Sequence, residues 1–158
     1  REGMLVKLDT NGSSPSVLRG LANEGLIDYI AMDVKGPIDH YHKWCGVDVD
    51  RKKIEESVSF IMEGNVDYEF RMTVVPSLHK EDDVYQVAEY LRAADKFFLQ
   101  EFKPRQCIDR TYLNVQPFPR DVFERMNKNV HKIRTTGIKP EERVIKFREK
   151  KTKVKAGK

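Results

Sequence analysis

Cysteine is scarce, tryptophan nearly absent, and no long apolar run interrupts the chain. Among 158 residues there are 2 Cys and 1 Trp. Cys45 and Cys107 cannot build a disulfide scaffold, and two thiols alone cannot complete a four-thiolate metal site. A reducing, cytoplasmic compartment is the expectation. No run of about 18 apolar residues occurs, which excludes a helical membrane span. No signal-peptide pattern opens the sequence, so secretion is not expected. Acidic excess is missing too, but only because of one segment. Residues 139–158 hold nine Lys/Arg against three Glu, or +6, so residues 1–138 carry −2 of the total +4.

What is present is a charged globular composition. Hydrophobic residues make up 39% and charged residues 34%, enough apolar content for a core and too much for a disordered chain. A chain of this length fits one domain, and such a domain buries roughly 68–70% of the surface its unfolded form exposes. The expected organisation is a βα domain over residues 1–138 followed by a basic tail over 139–158. The tail could touch nucleic-acid phosphates. It lacks interleaved aromatics and the body is acidic, so a nucleic-acid partner is not expected.

Apolar runs and turn residues alternate along the body. Met4–Leu8 reads as a strand closed by Asp9-Thr10-Asn11-Gly12. Ser14-Pro15 can start a helix carrying Val17, Leu18, Leu21 and Ala22, with Gly25 at its end. Leu26–Val34 reads as a second strand, and Asp50 can cap a helix bearing Ile54, Val58, Ile61 and Met62. Tyr68–Val75 and Lys96–Phe102 read as further strands. Between them Val84, Val87, Ala88 and Leu91 mark a helix. Pro119 opens another with Val122, Phe123 and Met126, and Lys132-Ile133-Arg134 is expected as a last short strand. Four such alternations predict an α/β fold of about four parallel βα units with right-handed crossovers.

Parallel α/β folds bind ligands at the C-terminal ends of their strands. Here those ends bring Asp9, Thr10 and Asn11, then Asp33 and Lys35, then Arg71, then Gln100, Glu101 and Lys103. Carboxylates, a hydroxyl, a lysine and an arginine on one rim could hold a zwitterion. The cations would take its carboxylate, and the Asp side chains its ammonium group or a bridging cation. A strand-end Asp equally serves as a turn or helix cap. Arg71 in an apolar strand is harder to explain structurally, because a buried guanidinium needs a partner.

Other candidates read mainly as structure. His40 and His42 at i, i+2 share no helix face and suit an exposed loop. His79 could cap the following helix. Cys45, beside Trp44 and Gly46, suits a small packed position. Cys107 lies among Arg105 and Arg110, where a thiolate could be favoured. Phe97-Phe98 reads as core.

Three blocks, ordered and well spaced, carry a family resemblance. They are Lys7-Leu8-Asp9-Thr10-Asn11-Gly12, Asp28-Tyr29-Ile30-Ala31-Met32-Asp33-Val34-Lys35, and Phe70-Arg71-Met72-Thr73-Val74-Val75-Pro76. Gly46-Val47 ahead of a helix matches the stretch between the second and third. Over roughly residues 3–104 the chain resembles the radical S-adenosylmethionine activating enzymes of glycyl-radical proteins, of the anaerobic ribonucleoside-triphosphate reductase and pyruvate formate-lyase types. The resemblance implies a partial (β/α) barrel, here about four βα units of a (β/α)6 fold. It implies S-adenosylmethionine as cofactor, bound by Asp9, Thr10, Asp33, Lys35 and Arg71, with Lys103 or Gln100 near the adenosine. It implies a monovalent cation on Asp9, Thr10, Asp33 and the Ala31 carbonyl. The implied partner is a glycyl-radical enzyme such as anaerobic ribonucleotide reductase.

The family's Cys-x3-Cys-x2-Cys motif and Gly-Gly-Glu-type segment are not in this sequence. The resemblance therefore implies the C-terminal part of such an enzyme, without the cysteines for a [4Fe–4S] cluster and inactive alone. A non-catalytic S-adenosylmethionine or nucleotide-binding module, or a protein-interaction module, is the alternative. The Met4–Leu8 edge is expected to be covered by the C-terminal segment or to form a homodimer.

Overall fold

Each expected apolar run but the last becomes a strand. The computed structural model describes residues 3–136. Strands β1 (Lys7–Thr10), β2 (Tyr29–Asp33), β3 (Asp67–Val74) and β4 (Phe97–Glu101) form one sheet in the order β1-β2-β3-β4. Every neighbouring pair is parallel. Helices α1 (Pro15–Asn23), α2 (Tyr41–Cys45), α3 (Arg51–Met62), α4 (Glu81–Tyr90) and α5 (Arg120–Thr135) fill the connections and follow the last strand. The predicted α/β class and its four parallel units are what the structure has, and the sequential order is that of a partial β/α barrel.

Local chemistry sets the helix ends. Pro15 takes the first helical position of α1, and Gly25 follows its end at φ +65°. The Asp50 carboxylate accepts the Lys52 N–H at 3.0 Å and caps α3. The Asp83 carboxylate reaches back to the Lys80 N–H at 2.7 Å and closes the first turn of α4.

Strand parity divides the molecule. Ile30, Met32, Tyr68, Phe70, Met72, Val74 and Phe97 point to one face and are buried. They pack with Leu18 of α1, Ile54, Val58 and Ile61 of α3, Val84, Val87 and Ala88 of α4, and Met126 and Val130 of α5. Full burial stabilises each large side chain by about 1.5–3 kcal/mol relative to exposure. The opposite face, which would line a barrel's interior, carries Lys7, Asp9, Tyr29, Asp33, Asp67, Glu69, Arg71, Thr73 and Gln100.

Several expectations shift. Strand β1 begins at Lys7, and Met4, Leu5 and Val6 are exposed ahead of it. Lys132-Ile133-Arg134 is not a strand but lies within α5, whose Val130 and half-buried Ile133 continue one packed side of the helix. The helix α2 over Tyr41–Cys45 falls in a stretch that the sequence suggested only as a connection. The boundary at 138 and the basic tail lie outside the described residues. No helix among the described residues is long and apolar enough to cross a membrane.

Candidate functional site

Register places the charged residues side by side. Asp9 ends the inner face of β1, Asp33 that of β2, and Arg71 pairs in register with Asp33 on β3. The Arg71 guanidinium spans both carboxylates. Its Nη2 lies 2.6 Å from Asp9 Oδ1 and 2.9 Å from Asp33 Oδ1, and its Nε donates to Asp33 Oδ1 at 3.0 Å. Lys35, two residues past Asp33, reaches back with Nζ to Asp33 Oδ2 at 3.2 Å. Burial disfavours the Arg71 charge, but Asp33 first and Asp9 second outweigh that and hold its pKa above the ordinary arginine value. Arg71 is 19% exposed, Asp33 34% and Asp9 61%, so the carboxylates open to solvent while the cation lies beneath them.

A second polar layer supports the first. Glu69 accepts from Lys7 Nζ at 3.0 Å and from the Tyr29 hydroxyl at 3.0 Å. Lys96 Nζ donates to that hydroxyl at 3.3 Å, and the Lys7 and Lys96 ammonium groups lie over the Tyr29 ring at 5.2 and 4.9 Å. Arg71 Nη1, 4.0 Å from Glu69, ties the layers together. Burial pushes the Glu69 carboxyl upward, but bonds from Lys7 and Tyr29 and the charges of Lys7 and Arg71 win and pull it below the usual range. Ala31, between Asp9 and Glu69 in register, is fully buried.

The structure thus brings Asp9, Asp33, Lys35 and Arg71 together. Thr10 takes another role: its hydroxyl accepts the Gly12 N–H at 3.1 Å and shapes the turn after β1. Lys103 lies beyond β4 and lines a cleft of about 450 Å³ with Thr73, Gln100 and Cys107. Thr73 is the next inner-face position after Arg71, and its hydroxyl donates to Gln100 Oε1 at 3.2 Å. His40 and His42 are exposed. Phe97 is core, whereas its neighbour Phe98 is half-exposed on the inner face. His79 is not a helix cap but a buried residue, described below.

Sequence reasoning passed over Lys7, Tyr29, Glu69 and Lys96. The signal was the strict alternation in Asp67-Tyr68-Glu69-Phe70-Arg71-Met72-Thr73-Val74. A parallel strand covered on both faces would be apolar throughout.

A four-iron cluster does not fit the described residues. No three His, Cys, Asp or Glu among them are grouped to hold a metal ion. Cys45 and Cys107 line separate cavities, and burial, partly offset by the Lys35 charge, keeps Cys45 above the ordinary thiol value. S-adenosylmethionine, by contrast, suits the donor set, with exposed anionic and cationic groups within one rim.

No known protein-family model matches the chain. A Methanocaldococcus jannaschii protein named "putative glycyl-radical enzyme activating enzyme" is 32% identical over 124 residues, which is 76% of this chain and 51% of that protein. The chain belongs with the glycyl-radical enzyme activating enzymes. It spans about half the length of this relative. The crystal structure of a domain of pyruvate-formate lyase-activating enzyme from Bacteroides vulgatus aligns with a TM-score of 0.61 at 14% identity, covering 84% of this chain and 78% of that one. That likeness concerns the fold, and it agrees with the partial barrel read from strand order.

Proposed function

We propose that the chain is the S-adenosylmethionine-binding part of an activating enzyme whose partner is a glycyl-radical enzyme. The observation that carries this reading is Arg71 bridging Asp9 and Asp33 at the strand ends, with Lys35 on the same rim. A zwitterionic methionyl group exchanges with these contacts. Its carboxylate takes Lys35 or Arg71, and its ammonium group takes Asp9 or Asp33. Preformed, oppositely charged partners orient such a ligand with little reorganisation. Lys103, with Gln100 beside it, faces the adenosine end from the adjoining cleft. The monovalent cation that the family resemblance implies on Asp9, Thr10, Asp33 and the Ala31 carbonyl would draw here mainly on Asp9 and Asp33, since the Thr10 hydroxyl is engaged by the Gly12 N–H. When bound, the cofactor supplies the sulfonium group on which the family's chemistry depends.

The misfit of the donor set with a cluster favours a further statement. This chain binds the cofactor without turning it over alone. Isothermal titration of S-adenosylmethionine into the chain, with and without KCl, tests the reading. Binding that weakens at least tenfold in Asp33→Asn and Arg71→Met supports it, whereas identical heats in wild type and both variants refute it. Assay for 5′-deoxyadenosine after iron–sulfur reconstitution and reduction checks the second statement, since product from the chain by itself would overturn it.

A further inference from the structure

Lys35 lies on the rim two residues beyond the end of β2. The ladder hands over there: the Val34 N–H still donates to the Arg71 carbonyl at 2.8 Å, but the Lys35 main chain is met by side chains from elsewhere. Its N–H donates to the Tyr41 hydroxyl of α2 at 2.9 Å. Its carbonyl lies 2.8 Å from His79 Nε2, in the segment before α4.

The imidazole's protonation follows from its other contact. The Val75 N–H donates to His79 Nδ1 at 3.0 Å. A backbone N–H only donates, so Nδ1 is the acceptor and the neutral ring carries its proton on Nε2, facing the Lys35 carbonyl. The ring is 5% exposed and stacks on Trp44, with centroids 4.9 Å apart and planes 14° from parallel. Tyr41 is 2% exposed, and burial holds its hydroxyl far above the ordinary phenol value, so it stays protonated. Gly36 completes the seat, because a Cβ there would meet the Trp44 ring at 2.4 Å.

We propose that Tyr41 and His79 are positioning residues that clamp the Lys35 peptide from both sides and so aim Lys35 Nζ at the ligand rim. This rests on the cofactor reading above. A lysine carries four rotatable bonds, and fixing its main chain removes the freedom that side-chain contacts alone would leave. An exposed turn would let water satisfy the same two backbone groups. Two buried polar side chains on separate elements instead couple β2, α2 and the segment before α4 at this one residue.

The test is a double-mutant cycle read by titration with S-adenosylmethionine. His79→Gln can keep a donor near the Nε2 position, whereas His79→Asn keeps the Val75 contact and cannot reach Lys35. His79→Asn and Tyr41→Phe are expected to weaken binding about tenfold, and His79→Gln by much less. In a Lys35→Met background His79→Asn should produce no further loss, a result that a purely structural role would not give. Equal losses with and without the Lys35 amine overturn the proposal. If the wild-type chain binds no S-adenosylmethionine, the cofactor reading fails separately, and NMR decides the clamp. A His79 ring protonated on Nε2, and a Lys35 amide resonance that moves in Tyr41→Phe, sustain it. A ring protonated on Nδ1, or an unmoved resonance, refutes it.

Discussion

Replacing Arg71 by Met keeps most of the side chain's stem and removes only the charge and its donors. Asp33 loses two contacts to one oxygen, at 2.9 and 3.0 Å, in a partly buried setting. Hydrogen bonds to charged groups contribute roughly 1.5–3 kcal/mol, and solvent at Asp33 brings this to about 1–2 kcal/mol. Asp9 is mostly exposed, so its 2.6 Å contact adds only about 0–1 kcal/mol. The two carboxylates are then left facing each other with no bridging cation. The sum is about 2 kcal/mol, or roughly 4–8 °C in Tm for a domain of this size. Thermal melts at pH 7 in low salt should show that drop. Added salt should shrink it, because screening relieves the new repulsion. Arg71→Lys should fall between, keeping charge but not the span across both carboxylates. Equal melting of wild type and Arg71→Met at low salt would show that the bridge contributes nothing, and the site would lose its central contact.

Gly12 sits at φ +77°, where a Cβ is strained, and one would also lie 2.2 Å from the Met32 methyl and force that side chain to shift, so Gly12→Ala should cost about 1–2 kcal/mol by urea unfolding. Glu69, held below the usual carboxylate range, gives stability that is present above about pH 4.3 and lost as pH falls through its lower folded value. The gap between wild type and Glu69→Gln, about 1–2 kcal/mol at pH 7, should therefore close in acid, and a gap constant from pH 7 to 3 would contradict the network. Burial lowers the His79 pKa, with Asp83 opposing and Lys43 assisting, so the wild type should lose stability relative to His79→Leu as pH falls below about 6.5. The outer edge of β1, unpaired among the described residues, should either pair two copies in sedimentation experiments or be covered by the C-terminal segment, and a monomer whose β1 edge amides exchange freely would refute both.

The legible parts of this fold are those with a local cause. Pro15, Asp50 and Pro119 announce helix starts through backbone restriction or side-chain caps, and the helices begin there. Asp9, Asp33 and Arg71 were identifiable because charges of both signs converge at the ends of apolar runs, although a strand-end Asp taken alone serves equally well as a cap. The rest depends on long-range geometry. Glu69 and Tyr29 are 40 positions apart and meet only once β2 and β3 are in register. His79 and Lys35 are 44 positions apart, and nothing near either residue signals the contact. Lys132-Ile133-Arg134 failed as a strand because three residues are too few to tell a period of about 2 from one of about 3.6, and packing beside Val130 and Met126 decided for helix.

The inner face has a physical problem that the site also solves. Among the described residues, consecutive parallel strands with all long helices on one side leave the other side without a helical cover. An apolar surface there would be an aggregation hazard, and an isolated charge would be poorly compensated in the sheet's partial shelter. The sequence answers with opposed charges in register: Lys7 with Glu69, and Arg71 with Asp33 and Asp9. In the lower layer Glu69, Tyr29, Lys7 and Lys96 bond mainly to one another, with Arg71 as the link to the upper one. The upper layer stays open, because Asp9 and Lys35 each keep exposed polar atoms. Substitutions should divide along the same line. Changes at Glu69 or Tyr29 should act on stability first, and changes at Asp9 or Lys35 on ligand affinity with little change in melting.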